Sequence, residues 1–465
     1  MHRSFVVIGK GLIGIQVIEK LFSSGVSPNE IIVVDPYEPG MNSQRVEGNS
    51  RKIEEIFQRN FVNNGLGKKE LSIADLKYLT KSQTYYWGAS CLPPMRFEIP
   101  RSGHEPESIK AAFATVTKSI GVQGTYSSKS ENLNFPFTEE IMNHLPRKQA
   151  ANNWVNSSDG EIYHSRLAIN SSTRNGCTFH GICFEGCPNN SIWNPSNHAT
   201  NFQSEFTKIH QIVSQASGVN RTKRVVTTLD GHELYYDNLI ITAGAQASKG
   251  IVSSIYPKMN LQLKSSPVIL LPFLVKGGVT KEEFKSHFVL ADLLIPFMSE
   301  NGLSSITQIY LPTTEIAGRV LLQAPKFISE LLLLLPERSL EYLMQHVGIA
   351  MLFAPGCEPF VPKSKIKEIM REPIDSLRSV LAKNDVELLD YPRRYILDNN
   401  SYHAGSIFDA DDGSFNAGIN SRVYANLISD GIRLLDACLL PSIPPGPHTL
   451  TAASLAIAEL DSIEE

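Results

Sequence analysis

Residues 4–40 read SFVVIGKGLIGIQVIEKLFSSGVSPNEIIVVDPYEPG, and their pattern decides the fold. A short apolar run enters a glycine-rich turn, an amphipathic IQVIEKLFSS follows, and a second apolar run, EIIVVD, ends in an acid. This is strand, turn, helix, strand: one βαβ unit. Gly9, Gly11 and Gly14 stand where the lack of a side chain permits a tight turn and lets backbone amides approach a pyrophosphate at the helix N-terminus. Asp35 closes the second strand 21 residues after Gly14. A carboxylate there can accept hydrogen bonds from both ribose hydroxyls of an adenosine, which favours FAD or NAD over NADP. The competing reading of the glycines, an ordinary α/β turn, does not account for the acid at the end of the next strand.

The bulk numbers bound the rest. A chain of 465 residues, 42% of them apolar, can bury a large core in about two to four structural units. Its net charge of −4 supplies no positive field to draw it onto nucleic acid or anionic lipid, so a small molecule is the expected partner. The opening MHRSFVVIGKG lacks the long apolar region of a signal peptide, giving a cytoplasmic expectation. The greasiest stretch, ISELLLLLP at 328–336, is far shorter than the ~20 residues of a spanning helix and reads as a buried helix.

No internal repeat or low-complexity linker divides the chain. Residues 41–150 are polar and weakly periodic, which reads as long loops over a ligand. VNRTKRVVTTLDGHELYYDNLIITAGA, at 219–245, reads as a hairpin turning at Asp230-Gly231 and then a buried strand ending in small residues. Between 255 and 400, strand-like SHFVLADLLI and SITQIYLP mix with a helical SLEYLMQHVGIAML, the pattern of a separate α+β domain. The last segment changes to a strand-like GIRLLDACLLP and a terminal helix, TAASLAIAELDSI.

GIRLLDACLLPSIPPGPHTLTAASLAIAEL, at 431–460, resembles the closing segment of glucose-methanol-choline (GMC) flavin oxidoreductases. SYHAGSIFDADDGS at 401–414 is similar to that family's H-x-x-G-[TS] segment, YYWGASCLPP at 85–94 to its loop beside the flavin, and DNLIITAGAQAS at 237–248 to its strand passing close to FAD. The resemblance implies an α/β architecture: a Rossmann-like FAD-binding domain at 1–254 and 401–465, with an inserted α+β substrate domain at 255–400. It implies FAD held non-covalently, since no histidine near Ser90 matches the attachment residue of some members. Ser90, Ala243, Gly244 and Asp436 join Gly9, Gly11, Gly14 and Asp35 as expected cofactor contacts, Asp436 being equally readable as a strand-end turn residue. The catalytic histidines of the family fall here on His403 and His448. His403 would take a hydroxyl proton while hydride leaves for flavin N5, and His448 would orient or stabilise the alkoxide. His448 lies one place later than the asparagine of the sugar-oxidase form of the loop, which puts Pro447 in line with it.

Three of the six cysteines, Cys177, Cys183 and Cys187, fall within CTFHGICFEGCP. The C-x5-C-x3-C spacing resembles that of GMC dehydrogenases carrying a [3Fe-4S] cluster, which would pass electrons to a protein or quinone acceptor. Reduced structural thiols, one disulfide with a spare, or a zinc site completed by His180 or His198 are the alternatives. The sequence thus points to an FAD-dependent dehydrogenase or oxidase of a sugar, polyol or related alcohol. The alternatives are a non-catalytic flavin or iron-sulfur relay or redox sensor, and an NAD-dependent reductase, the latter disfavoured for want of a second nucleotide fingerprint.

Overall fold

The computed structural model describes residues 4–36, 89–92, 104–123, 148–158, 161–169, 177, 191–195, 202–257, 264–265, 268–285, 289–299, 302–314, 316–317, 320, 334–354, 363–389, 394–396, 403–404, 422–440, 443 and 445–461. Strand β1 (Phe5–Ile8) passes through the glycine turn into helix α1 (Leu12–Ser23) and returns as β2 (Ile31–Val34). There follow α2 (Pro106–Ser119), α3 (Gln149–Ser157) and the two-residue β3 (Tyr163–His164). Next come β4 (His210–Ile212), an antiparallel trio β5 (Ala216–Asn220), β6 (Val225–Thr228) and β7 (Glu233–Tyr235), then β8 (Asn238–Ile241) and α4 (Ala245–Ile255).

The middle of the chain supplies β9 (Lys264–Ser265), β10 (Val268–Val275), β11 (Leu293–Ser299), β12 (Gly302–Tyr310), α5 (Glu337–Met344), β13 (Val347–Phe353), α6 (Arg371–Ala382), β14 (Val386–Leu388) and β15 (Arg394–Ile396). The end is β16 (His403–Ala404), α7 (Arg422–Ser429), β17 (Ile432–Leu434) and α8 (Thr449–Asp461).

Five strands form a parallel sheet in the order β17-β8-β1-β2-β4. The three central strands, β1, β2 and β8, are apolar and almost wholly buried without alternation, as expected of parallel strands covered on both faces, whereas the edge strand β4 reads His-Gln-Ile and is partly exposed. From β1 the chain steps to β2 on one side and returns to β8 on the other, so the strand order reverses at the carboxyl end of β1, where open α/β sheets bind ligands. Helix α8 is buried almost all round, from Leu450 to Leu460, between α1 and α2, which explains its run of alanines and leucines. Its one interior acid, Glu459, accepts the Tyr424 hydroxyl at 2.7 Å and lies 3.5 Å from His104 Nε2 and 3.8 Å from Arg433. Burial pushes this carboxyl up from its ordinary range.

The second sheet is antiparallel through its long strands, in the order β14-β10-β13-β12-β11-β3, with β15 also on β10. One face, bearing Ile269, Leu271, Leu293, Ile309 and Leu352, packs on α3 and α6 through Trp154, Ile374 and Leu377. The Rossmann-like domain and the α+β domain are therefore both present. β3, from the first half of the chain, pairs with β11 in the second sheet.

The hairpin at Asp230-Gly231 forms as its residues dictate, Gly231 taking φ +89°. Three other expectations give way. Within 41–150 lies a 14-residue helix, α2, whose Ile109, Ala112, Phe113 and Val116 are buried at helical spacing; its polar surroundings hide that period in the sequence. SLEYLMQHVGIAML is helical only to Met344, because VGIAMLF pairs on both sides, with β10 and with β12, as a central strand. Of the segment read as a buried helix, only its end is described, and there Leu334 is 81% exposed and Leu335 40%. Among the described residues no helix is long and apolar enough to cross a membrane.

Lys148, at the start of α3, forms an ion pair with Asp292 at 2.9 Å, both side chains almost fully buried. Asp292 Oδ2 also accepts the Leu311 amide at 2.9 Å. Lys148→Met removes one ion and strands the other, so denaturant unfolding should show a loss of about 3–5 kcal/mol.

Candidate functional site

The carboxyl ends of β1, β2 and β8 meet at the glycine turn. Gly9 donates its amide to Val34 O at 2.9 Å, and Thr242 donates its amide to Ile8 O at 2.8 Å. The Thr242 hydroxyl lies 3.0 Å from Ile8 O and 2.7 Å from Gly9 O. Gly9 has φ +96°, and a Cβ there would sit 2.6 Å from Thr242 O; a Cβ on Gly14 would overlap the Gly9 carbonyl oxygen. Each glycine is thus required by a backbone passing against it. Gly11 caps α1 in an extended conformation with no capping side chain, and the helix has no acid in its first turn. Its terminal amides are without an anionic partner from the helix itself, and the dipole favours one.

Asp35 sits where the spacing places it, at the end of β2, nearly buried. Its Oδ2 accepts the Lys10 amide at 2.5 Å, so the acid also shapes the glycine turn. Burial lowers the Lys10 pKa, against an upward pull from Asp35, and its Nζ lies 3.3 Å from Gln211 Oε1. Ala243 and Gly244 follow β8, Gly244 starting α4 with φ +83°. Thr242 and Lys10 were not expected from the sequence; Thr242 carries the one signal that could have marked it, a lone hydroxyl between an apolar strand and small residues.

Asp436 is fully buried at the start of a 3-10 turn, Ala437–Leu439. It accepts the Ser248 hydroxyl and the Cys438 amide, the latter at 2.7 Å. Both carboxylate oxygens are therefore engaged by the protein, locking α4 to the segment that leads into the GPHT loop. Desolvation raises its pKa while these bonds pull it back.

Ser90 lies in a stretch stitched to residues 166–168: Cys91 donates its amide to Arg166 O at 2.9 Å and Ala168 donates to Ala89 O at 2.8 Å. Ala89 is buried in the left-handed region at φ +53°, a strained conformation for a residue with a Cβ. The Ser90 hydroxyl is buried with no hydrogen-bond partner among the described residues. Burial pushes the Cys91 thiol up to about 12, which makes it inert at neutral pH.

The GPHT loop meets this stretch and the second sheet together: a Cβ on Gly446 would stand 3.0 Å from Leu92 Cδ1 and 3.4 Å from Ile306 Cδ1. His448, just before α8, is buried with Nδ1 3.3 Å from Gly446 O. A carbonyl only accepts, so Nδ1 carries the proton and Nε2 keeps its lone pair. Desolvation lowers its pKa to about 4, leaving it neutral at pH 7. His403 is placed as backbone only, in β16, where it pairs with Ser265 of β9. Cys177 is partly buried against the core of the first domain; Cys183 and Cys187 lie outside the described residues. Among the described residues no group of three His, Cys, Asp or Glu side chains is arranged to hold a metal.

These residues fit an FAD. The cradle would be filled by any Cβ, the first turn of α1 awaits an anion, and the Ser90 hydroxyl is an orphaned donor on the loop that touches His448's own. Gly14→Ala should lower stability by about 1–3 kcal/mol in thermal unfolding, since neither backbone can retreat. Acid should also destabilise the fold through His448. Its folded pKa lies below the unfolded value near 6.5, so the unfolded chain binds the proton first as pH falls. Stability should drop by up to about 3 kcal/mol between pH 6.5 and pH 4, and urea titrations of His448→Gln should show a flatter profile over that window.

No family model matches the chain, and no curated protein matches it in sequence. Solved structures do match over nearly its whole length. Formate oxidase of Aspergillus oryzae RIB40, an enzyme whose FAD undergoes modification, is 12% identical, with 99% of this chain and 98% of that one covered at a TM-score of 0.54. A fungal aryl-alcohol oxidase is 10% identical at a TM-score of 0.53, and pyridoxine 4-oxidase from Mesorbium loti 11% identical at 0.51, each with 99% of both chains covered. The GMC-like motifs, the parallel sheet with its glycine turn and this likeness agree: the chain has the fold of the glucose-methanol-choline flavin oxidoreductases.

Proposed function

We propose that the chain is an FAD-dependent oxidoreductase that oxidises the CH–OH group of a small-molecule alcohol. The observation that carries this reading is His448: buried, neutral, and holding an Nε2 lone pair with no hydrogen bond among the described residues, on a loop in contact with the Ser90 stretch. The amides at the start of α1 would hold the pyrophosphate, Asp35 the adenosine ribose, and the Ser90 hydroxyl would donate to the flavin ring system. FAD, when bound, supplies the hydride acceptor.

The chain's own part is proton chemistry and exclusion of water. The Nδ1–H of His448 is anchored to Gly446 O, which fixes the tautomer and leaves Nε2 to receive the hydroxyl proton of the substrate. This gives His448 the role of base, where the family resemblance would give it to His403. Nε2 first accepts a hydrogen bond from the substrate hydroxyl, then takes that proton, and only then can donate back to the alkoxide. His403, on the strand beside β9, is proposed as the second histidine of the site. The comparisons support this reading through the fold they share; formate, pyridoxine and aryl alcohols belong to those enzymes.

The purified protein should show flavin bands near ~370 and ~450 nm. Anaerobic mixing with its alcohol should bleach the ~450 nm band, and His448→Ala should slow bleaching at least ~100-fold with FAD retained, as expected for loss of a general base. His448→Ala bleaching at the normal rate, with His403→Ala inactive, would return the base to His403. An unbleached, fully loaded flavin across alcohols would instead favour the electron-transfer or redox-sensing alternative. The cysteines of 177–187 are proposed as ligands of an iron-sulfur centre passing electrons to a protein or quinone. Iron and acid-labile sulfide assays decide this, near-zero iron leaving them as structural thiols.

A further inference from the structure

The second sheet has two faces, and the registers assign their residues. Ile269, Leu271, Ile309 and Leu352 point to the helices. Ile306 points the other way, against Gly446 and Leu92, and so toward the candidate site. Residues directly paired across a ladder share a face. Ile306 pairs with Phe353 and Pro296, Gln308 with Met351 and Leu294, and Tyr310 with Ile349. Among the described side chains of the four long strands, β10 to β13, this face is apolar except for Gln308 and Tyr310.

Their placement is specific. Tyr310 belongs to a small core with Leu270, Ala291, Ile316 and Ile349, which closes that end of the face. Ile306 marks the end that touches the GPHT loop. Gln308 stands between them, two residues along an extended strand from Ile306 and so about 7 Å away. It is 3% exposed, and its Oε1 accepts the Tyr310 hydroxyl at 2.7 Å. With the carbonyl end held in this way, the amide nitrogen is the end left to donate, and it makes no hydrogen bond among the described residues. The pair leaves the amide nitrogen as a donor in a face otherwise apolar.

We infer that Gln308, oriented by Tyr310, is the substrate-positioning residue of this site, donating to the oxygen of the alcohol, and that the apolar roof around it selects alcohols with an aliphatic or aromatic body over sugars and polyols. This rests on the proposed function and deepens it. A primary or benzylic alcohol presents one oxygen, which the amide can meet while carbon fills the roof. A sugar presents several hydroxyls, and all but one would be desolvated against Ile306, Met351 and Phe353 without a partner. A site built for hydrogen bonds to one oxygen and apolar contact elsewhere discriminates by that difference.

The experiment uses the flavin-loaded enzyme. Benzyl alcohol and 1-hexanol should bleach the flavin anaerobically at lower concentration than glycerol or glucose, by on the order of 100-fold or more. Acetophenone, which offers the oxygen but cannot be oxidised at it, should bind the oxidised enzyme in calorimetric titration. Gln308→Met should weaken that binding and raise KM for benzyl alcohol by on the order of tenfold, with little change in the bleaching rate at saturation. Tyr310→Phe, which only frees the amide to turn, should give a smaller effect of the same kind and serves if the first variant does not fold. Preference for polyols, or unchanged acetophenone binding in either folded variant, overturns the inference while leaving the proposed function intact. A loaded flavin that no alcohol of either group bleaches overturns the proposed function itself.

Discussion

The structure depends on how closely three backbones approach one another at the end of β1. The Gly9 carbonyl lies under Gly14 of α1, and the carbonyl of Thr242, the residue after β8, lies against Gly9, with the Thr242 hydroxyl bonded across the gap. No side chain could be inserted at either glycine without parting the helix from the sheet. That contact aims the first turn of α1 out of the sheet's carboxyl edge. The proposed anion site is therefore a by-product of packing, and the other residues of the proposed cofactor site are arranged around the same edge of the sheet.

From this edge the site is extended by buried polar groups, each fixed by a partner. Asp35 holds the turn through Lys10, and Asp436 ties α4 to the entrance of the GPHT loop through Ser248. His448 is oriented by Gly446. Burial pushes the carboxyl of Asp436 up and the imidazole of His448 down, both toward neutrality. Neutrality leaves the Nε2 lone pair able to accept a proton, while burial makes the imidazole a weaker base than it would be in water. The same desolvation that prepares it makes the fold sensitive to acid.

What could be read from the sequence was whatever a local pattern determines. The glycines, Asp35, the Asp230-Gly231 turn and the strand at 238–241 are each marked by the residues immediately around them, and each stands where that pattern directs. The helix at 106–119 is hidden in the sequence because its apolar core positions are diluted by Lys110, Thr115 and Lys118, which face solvent, and by Thr117, a polar residue that is itself buried. VGIAMLF reads as helix because a central strand is set by its two ladders, not by its own alternation. The candidate site was legible residue by residue but not as an arrangement. Thr242, Lys10 and Gln308 owe their places to contacts across more than two hundred residues or to sheet register, which no spacing reveals.

A crystal structure of the protein purified with added FAD tests the central claim most directly. The two phosphates of FAD should lie within hydrogen-bonding distance of the backbone amides at Gly11 and Leu12, with the flavin ring reaching toward Ser90 and His448. A nucleotide bound elsewhere, or phosphates turned away from the start of α1, would contradict it.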